Sequence, residues 1–513
     1  MIDKAATTQP SKSKSIMGLF VSMVLISACA GFGPEYSADT KHVPRALELA
    51  GDGHLAMLYD SRMHPAAIEH DGKLILTWRG QNGWPQVRIY DLATRELSEQ
   101  VNVYDGLEQA FDLEKYTKDQ HYNPVIWLDR ENHLHLIAGC HGNWLAIHND
   151  CDKVKSKIPG DIFSGWELVD ETIAESINYP KVYPIYEDQT LMHFRHSGHI
   201  GAWTYRISEN GTDSWHGPDQ PIVDMNSGAS PFEDCLDFFS GSYHNIRIGE
   251  DGKTLHNAFV WQQDFIIKML PEAHQGADCE PPPNTRYGFQ GDEKIDTRYN
   301  LYYVKVDLPT GKVFNHAGEE LSVPISRRVA DRKALIWDTD ERIFAAPPSI
   351  WVDEEEEPYF LGMVSEDTPH RGWFTFVRHD GNEWQKTKVA KSSHYYNSAL
   401  LDRAPNGDFR AFLIIGEEDT SKQNRRDNKL DLNNYGWGER VEEWVSQDEG
   451  RTWRMMRDIT PIKGLRYQNL KRASGGIGQS IEDIVLFYGW APDANPGEAK
   501  AFLWDGRAAT IAQ

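Results

Sequence analysis

The chain lacks an excess of positive charge, low-complexity tracts and any apolar run long enough to cross a membrane as a mature helix. Lys and Arg number 53 against 77 Asp and Glu, which gives a formal charge of −24. Nucleic acid is therefore a poor candidate partner, because phosphate binding rests on a broad basic surface. An anionic ligand would need a local cluster of Arg, Lys and His to overcome the overall field.

The N-terminus has the features of an export signal. Lys12 and Lys14 precede the apolar run IMGLFVSMVLISA, which ends at a small-residue site followed by Cys29. This order is typical of a bacterial lipoprotein signal in which Cys29 becomes the lipidated first residue, although an ordinary secretory signal with an incidental cysteine has the same pattern. The sequence predicts a signal peptide over 1–28, a tether over 29–45 and one catalytic domain over 46–513.

Four cysteines follow Cys29, and an even number favours disulfides in an oxidising compartment. Cys140 and Cys151 lie eleven residues apart across a predicted turn and could pair. The other two could instead form a structural zinc site with two imidazoles, since thiolate and imidazole suit that ion. The predicted zinc ligands are His199, Cys235, His256 and Cys279. No tight Cys-x-x-Cys spacing supports zinc, so a disulfide or free buried thiols remain open.

A unit recurs along the chain: a His, Tyr or Ala-Pro start, an apolar strand, an acidic or Gly turn, and a second apolar strand. The seven copies begin at His64, His121, Tyr179, Tyr243, Ala346, Tyr396 and Tyr467. Alternating apolar residues with closely spaced turn signals indicate antiparallel β structure throughout. The copies predict an all-β fold, a seven-bladed β-propeller with four strands per blade and a loop insertion over 264–297, in or after blade four.

Two short segments support this fold independently. SQDEGRTW, residues 446–453, matches the Asp-box pattern Ser-x-Asp-x-Gly-x-Thr-Trp, and SENGTDSW, residues 208–215, is a degraded version. Asp-boxes stabilise turns at the outer strands of propeller blades and lie away from the catalytic mouth. They therefore indicate the fold and carry no information about a substrate.

The second and third copies carry a pattern of chemically active residues. His121 opens the second copy, and His141 follows about twenty residues later; Tyr179 with Pro180 opens the third, and Arg195 follows sixteen residues on. Together with the repeats over 64–490, this order and spacing resemble the BNR-type seven-bladed propellers that include the ulvan lyases. The segment PTGKVFNHAGEELSVPI, 309–325, resembles the same family between its fourth and fifth blades. The resemblance implies a polysaccharide lyase with these four residues as its catalytic set.

The residue types also suit that chemistry on their own. A lyase acting on a uronate removes the proton at C5 and expels the oxygen at C4, so the neighbouring carboxylate must be neutralised. Arg195 is permanently charged and can bind a carboxylate through two nitrogens, with His141 as a second donor. His121 and Tyr179 supply the base and the acid, in an order that the sequence leaves open. Tyr243, Arg247 and Arg298 are predicted to bind the substrate.

The predicted reaction is β-elimination at the bond to C4 of glucuronate or iduronate, with ulvan as the expected polymer. We expect no organic cofactor, a monomer, and attachment to the bacterial envelope, outer membrane or cell surface, through the lipid on Cys29. A sialidase-like glycoside hydrolase is one alternative, but its early Arg-Ile-Pro segment is missing and there is only one good Asp-box. A non-catalytic glycan-binding propeller is the other, since a fold alone does not determine function.

Overall fold

The computed structural model describes residues 46–54, 57–117, 119–141, 151–198, 200–230, 235–263, 297–340, 342, 344, 346–366, 371–394, 396–417, 436–495 and 497–506. These residues belong to one compact unit, Val43–Gln513. The predicted signal peptide, the tether with Cys29, and nearly all of the predicted 264–297 insertion lie outside them. None of the described helices has the length and apolarity needed to cross a membrane.

The described part of the chain is almost entirely β. Its strands are β1 (Leu47–Gly53), β2 (Ala67–His70), β3 (Lys73–Arg79), β4 (Pro85–Asp91), β5 (Val101–Asn102), β6 (Val125–Leu128), β7 (Leu134–Ala138), β8 (Asp152–Ser156), β9 (Trp166–Leu168), β10 (Asn178–Ile185), β11 (Gln189–Arg195), β12 (Trp203–Ser208), β13 (Ser240–Ile248), β14 (Thr254–Gln263), β15 (Thr297–Asp307), β16 (Lys312–Phe314), β17 (Glu320–Leu321), β18 (Leu335–Trp337), β19 (Ser349–Val352), β20 (Pro358–Ser365), β21 (Gly372–His379), β22 (Trp384–Ser392), β23 (Ala399–Arg403), β24 (Phe409–Ile415), β25 (Arg440–Ser446), β26 (Arg454–Asp458), β27 (Arg466–Ser474), β28 (Ser480–Trp490) and β29 (Ala499–Asp505). The helices are α1 (Cys235–Phe238), α2 (Arg327–Lys333) and the 3-10 turns Glu108–Ala110, Leu113–Thr117 and Tyr186–Asp188.

These strands pair into six sheets. Five contain strands that follow one another in the chain: β6 to β9, β10 to β12, β13 to β17 with β18 beside β15, β19 to β22, and β23 to β26. The sixth has eight strands in the order β1-β29-β28-β27-β2-β3-β4-β5, so it joins both ends of the described chain. Its two halves meet in one parallel bridge between Ile68 and Ser474. The prediction of an all-β fold is confirmed.

The turns between strands follow from local sequence. β2 and β3 are joined by Asp71 and Gly72, both with positive φ (51° and 73°), which is the Asp-Gly pattern of a two-residue hairpin. The predicted Asp-box lies in the turn between β25 and β26, where Asp448 accepts a hydrogen bond from the Thr452 amide at 2.8 Å. The Gly450 amide donates to the Ser446 hydroxyl, also at 2.8 Å. This turn is an outer-strand connection, as the pattern predicts.

The third sheet has three strands among the described residues, where the repeat pattern predicts four. After β12 the chain carries Pro218 and Pro221 and makes only isolated bridges, such as the one between Trp203 and Val223. A proline cannot donate to a β ladder. The segment 209–224 therefore covers the edge of β12 without forming a continuous fourth strand.

The core lies between neighbouring sheets. Leu191 of β11 and Ile207 of β12, for example, belong to one buried cluster with Phe259 of β14 and Val304 of β15. The first strands of successive sheets are neighbours, with β2 beside β6, β6 beside β10, β13 beside β19, β19 beside β23 and β23 beside β27. Because β6 pairs with β7 and β10 with β11 in antiparallel fashion, the start of each first strand lies at the same edge as the end of the second. The candidate catalytic residues occupy this edge.

Candidate active site

The pairing of β10 with β11 brings Tyr179 and Arg195 together. Asn178 pairs with Arg195, and the register then shifts before Lys181 pairs with His193. Tyr179 lies in this irregular stretch with φ of 55°, a left-handed conformation that is uncommon for a bulky residue. Such strain is stored where surrounding structure holds it, often at functional sites. The guanidinium carbon of Arg195 lies 4.8 Å from the centre of the Tyr179 ring.

The hairpin of β6 and β7 supplies two imidazoles bound to one carboxylate. His121 precedes β6 and His141 follows β7, and their ring centres are 4.3 Å apart. Asp119 bonds both rings, with Oδ1 3.0 Å from Nδ1 of His121 and Oδ2 2.7 Å from Nδ1 of His141. One carboxylate therefore fixes the orientation of both histidines.

A hydrogen bond joins this pair to the tyrosine. The Tyr179 hydroxyl lies 3.1 Å from Nε2 of His141. Because Asp119 accepts from Nδ1 of the same ring, Nε2 is the acceptor for the phenolic proton in the neutral tautomer. Asp119, His141 and Tyr179 thus form a chain along which a proton on the tyrosine can move.

Three guanidinium groups surround the aromatic rings of Tyr179 and Tyr243. Arg62 lies 4.7 Å from the Tyr179 ring, and Arg298 lies 3.7 Å from the Tyr243 ring. Arg62 is held by Asp60 through two contacts of 2.7 and 2.9 Å. Arg195 differs, since it is fully buried and none of its three guanidinium nitrogens has a hydrogen-bond partner among the described residues. A buried charge of this kind is costly unless a ligand pairs with it.

The protonation states follow from this environment. Burial, reinforced by the neighbouring His141, lowers the pKa of His121 to about 4, so its imidazole is neutral near pH 7. Burial also raises the pKa of Tyr179 well above its usual value, although Arg62 and Arg195 act in the opposite direction. Burial opposes the charge of Asp119, but the two histidines hold the pKa of that carboxyl well below its usual range. At neutral pH the site therefore contains a neutral imidazole, a protonated phenol and a carboxylate.

The structure brings together six of the predicted active-site residues and places the seventh elsewhere. Tyr243 lies 5.6 Å from Tyr179, ring centre to ring centre, and Arg298 packs on Tyr243. Arg247, predicted to bind substrate beside them, is on the same strand as Tyr243 but four residues later, about 13 Å along it. It contacts Gly478 and Ser480 instead. The structure thus places Arg247 apart from the other six residues, and its role in substrate binding stays a prediction.

The structure describes only part of the predicted zinc set, so the zinc site stays a prediction. His199 and Cys279 lie outside the described residues, and the side chain of Cys235 is not among those described. Cys235 begins α1, which leads into the start of β13, whereas His256 pairs with Arg247, about 23 Å along that strand from Ser240. A zinc ion binds its ligands at about 2.0–2.3 Å, so this spacing does not favour an ion shared by His256 and Cys235. Nδ1 of His256 lies 2.7 Å from the Tyr303 hydroxyl.

The structure describes one disulfide and two groups of possible metal ligands. Cys140 and Cys151 form a disulfide, as their spacing allows, and Cys140 directly precedes His141. Among the described residues, two groups bring three candidate ligand atoms within 4.8 Å of one another. One is the hydrogen-bonded set of Asp119 and the two histidines, and the other is His316, Glu357 and His379.

Sequence reasoning missed Asp119, Arg62 and Asp60. Asp119 stands two residues before His121, and this Asp-x-His spacing was the available signal. Arg62 and Asp60 stand just before the first repeat copy at His64, in a segment that belongs to no repeat. Their charges become relevant only when the fold places this segment beside β10 and β13.

Comparison with solved structures supports the fold. The PL25 ulvan lyase bound to -[GlcA(1-4)Rha3S]- superimposes with a TM-score of 0.67 and 18% identity, covering 90% of this chain and 97% of that one. The polysaccharide lyase Uly1 gives a TM-score of 0.56 and 11% identity, covering 90% and 98%. At these identities the likeness establishes a shared architecture.

Curated relatives agree with this likeness. The PL25 ulvan lyase of Pseudoalteromonas sp. (strain PLSV) is 24% identical over 340 residues, 63% of this chain and 62% of the relative. The ulvan lyase of Nonlabens ulvanivorans is 23% identical over 351 residues, 64% and 66%. That of Alteromonas sp. (strain LOR) is 24% identical over 398 residues, 74% of each. The chain thus matches a little under two thirds of the length of the first two relatives.

The family model described as BNR repeat-containing family member matches residues 84–392. This range contains β4 to β22 and all four residues of the predicted catalytic set, and it covers more than half of the chain. The protein is therefore a member of the BNR repeat-containing family.

Proposed function

We propose that this protein is a polysaccharide lyase that cleaves ulvan by β-elimination. The observation that carries the proposal is the buried guanidinium of Arg195, unpaired among the described residues, beside the Asp119–His141–Tyr179 hydrogen-bond chain. A buried guanidinium without a hydrogen-bond partner among the described residues, next to a proton-transfer chain, suits a substrate that carries a carboxylate beside an acidic C–H bond. The ulvan lyases among the relatives support the choice of polymer.

The roles of the residues follow from their protonation states. Arg195 pairs with the uronate carboxylate and so stabilises the negative charge that develops when the C5 proton leaves. His121, neutral near pH 7, accepts that proton. Tyr179, protonated and hydrogen-bonded to His141, donates a proton to the leaving oxygen at C4. Asp119 holds both imidazoles in place, as the buried carboxylate does in hydrolase triads.

Substrate contacts beyond the reacting sugar are assigned to Tyr243 and Arg298. The Tyr243 ring lies between Tyr179 and Arg298, and an aromatic face beside a guanidinium suits a sugar ring that carries anionic groups. We propose cleavage at the bond to C4 of glucuronate or iduronate. The acidic body, with its charge of −24, makes this cationic cluster necessary for binding.

The wider architecture is proposed to be a seven-bladed propeller. The eight-stranded sheet would count as two blades, β2 to β5 and β27 to β29 with β1, because only the bridge between Ile68 and Ser474 joins its halves. With the five other sheets this gives seven. β1 would then close the ring as the outer strand of the last blade.

Export and lipid anchoring at Cys29 remain proposals, as do a monomeric state and a structural zinc ion. The disulfide between Cys140 and Cys151 supports an oxidising compartment. Membrane fractionation of wild type and Cys29→Ser tests the anchor, since the variant should move to the soluble fraction. Metal analysis of the purified protein, with and without Cys279→Ser, tests the zinc ion.

The experiment for the function is ultraviolet absorbance of unsaturated uronate during incubation of the mature chain with ulvan. We expect absorbance to rise with the wild type and to be lost in His121→Ala and Arg195→Met. Falling viscosity without absorbance would show a hydrolase instead. Binding without either change would show a glycan-binding protein.

A further inference from the structure

A second cationic cluster lies in a cavity that the proposed chemistry does not use. The cavity has a volume of about 80 Å³ and is lined by residues from five of the six sheets. One water molecule needs about 10–15 Å³ of cavity volume measured in this way, so about 80 Å³ can hold roughly five heavy atoms. Its polar lining includes His64, Arg247, Lys471, Arg472 and Ser480.

Two of these guanidinium groups converge on one hydroxyl. Nη1 of Arg247 lies 3.4 Å and Nη1 of Arg472 lies 3.5 Å from Oγ of Ser480, so the two nitrogens are within about 7 Å of each other. Two like charges at this distance in a partly buried site repel each other. An anion bound between the two guanidinium groups would offset this repulsion.

The partners that the protein itself supplies are weak. Arg247 also reaches the carbonyl of Gly478 at 3.2 Å, and Arg472 reaches Asp402 at 3.4 Å. Charge-assisted hydrogen bonds are usually 2.7–2.9 Å long, so every one of these contacts is long. Nη2 of Arg472 is buried and has no hydrogen-bond partner among the described residues. Asp402 and the exposed Glu250 are the carboxylates that act on Arg247, and both are too distant or too exposed to pair closely with either guanidinium.

The remaining basic residues of the lining are Lys471 and His64. The ammonium of Lys471 donates to the backbone carbonyls of Asp60 and Met63, which carry no charge. Burial first, and then the nearby Lys471, Lys181, Arg472 and Arg247, lower the pKa of His64 well below its usual value. His64 is therefore neutral and can donate or accept one hydrogen bond in the cavity.

We propose that this cavity binds a tetrahedral oxyanion of the sulfate class between Arg247 and Arg472. Sulfate has five heavy atoms and several acceptor oxygens, which match the size of the cavity and the forked donors. The anion would bridge β13 of one sheet and β27 and β28 of another. It would thereby stabilise the contact between two sheets that are not consecutive in the chain. The site is separate from Arg195, which packs on Tyr243 at 5.1 Å, because Arg247 lies about 13 Å along β13 from Tyr243.

The proposal is tested by thermal unfolding and calorimetric titration of the full mature chain with sodium sulfate, at an ionic strength held constant with sodium chloride. The wild type should show a saturable rise in Tm and one bound sulfate. Arg472→Met should weaken sulfate binding by about tenfold or more. Arg472→Lys, which keeps the charge but loses the fork, should give an intermediate affinity.

Two further arms make the result decisive. Arg440→Met, outside the cavity and bonded to Glu442, should bind sulfate like the wild type. Titration with methyl sulfate shows whether the ligand is a free sulfate ion or a sulfate ester. If methyl sulfate and sulfate both bind, a sulfate ester can enter the cavity. If sulfate alone binds, the ligand is the free anion. The proposal is overturned if chloride and sulfate affect the wild type equally, or if Arg472→Met and Arg472→Lys both retain wild-type sulfate affinity.

Discussion

Replacing Arg195 with methionine should lower activity by orders of magnitude without lowering stability. The buried guanidinium has no hydrogen-bond partner among the described residues, and the effective cost of burying an unpaired ion is several kcal/mol. Its contacts with the rings of Tyr179 and Tyr243, at 4.8 and 5.1 Å, return about 1–2 kcal/mol each. We therefore expect the free energy of unfolding to stay the same or to rise by up to about 2 kcal/mol. In a chain of this size that shifts Tm by at most a few degrees.

The catalytic effect should be large. Loss of the group that stabilises developing charge typically costs a factor of about 10²–10³, and more when that group is a full charge, so kcat/KM should fall by about 10²–10⁴, or about 3–5 kcal/mol. The assays are the initial rate of absorbance on ulvan and thermal unfolding of the same preparation. A Tm that falls by many degrees along with activity would refute the reasoning, because Arg195 would then be a structural residue.

Arg410 offers a matched control. It is also a nearly buried arginine, but it pairs with Glu443 at 3.2 Å and with Asp483 at 2.5 Å. Arg410→Met removes one of the two ion pairs of the buried Glu443, which keeps Arg457 at 2.6 Å, so it should destabilise the protein by about 1.5–3 kcal/mol. Its kcat/KM on ulvan should remain that of the wild type at a temperature where the variant is folded. Comparison of the two variants thus distinguishes an arginine needed for catalysis from an arginine needed for stability.

Three other outcomes are expected. Tyr179→Phe should lower kcat about 10²–10⁴-fold with little change in KM, because it removes only the transferable proton; an unchanged kcat on ulvan would exclude Tyr179 as the acid. Asp119→Asn should lower kcat by a similar factor through misorientation of His141, and this is contradicted if kcat is retained while only KM rises. Arg62 holds the pKa of Asp60 at about 2 against the effect of burial, so this carboxylate stabilises the fold fully above pH 4 and loses that effect, about 2 kcal/mol, as pH falls toward 2. Asp60→Asn should reduce the loss in the free energy of unfolding between pH 4 and pH 2, measured by denaturant unfolding. An unchanged loss over that range would contradict the role given to the Asp60 carboxylate.

The positions of the four proposed catalytic residues could be predicted because they depend on strand ends. His121 and His141 flank one hairpin, and Tyr179 and Arg195 flank the next. In antiparallel pairs these positions meet at one edge whatever the exact register. The repeat pattern therefore brought together residues that are far apart in the sequence.

Depth along a strand could not be predicted in the same way. Tyr243 and Arg247 are four residues apart and so share a face of β13, but they lie about 13 Å apart along it. Tyr243 belongs to the proposed active site and Arg247 to the proposed anion cavity. The alternation of residues in a sequence shows which face of a strand a side chain lies on, but it does not show how far along the strand a site lies. Asp119 was missed for a different reason, since its role depends on side-chain geometry within a loop.

The central claim is elimination, and the most direct measurement is mass spectrometry of ulvan oligosaccharides produced in heavy-oxygen water. The account predicts new ends that carry an unsaturated uronate, each one water lighter than a hydrolysis product, and no heavy oxygen at the cleaved bond. Saturated ends that contain one heavy oxygen would show that water attacked the bond, and the assignment of Arg195, His121 and Tyr179 to a lyase mechanism would be wrong.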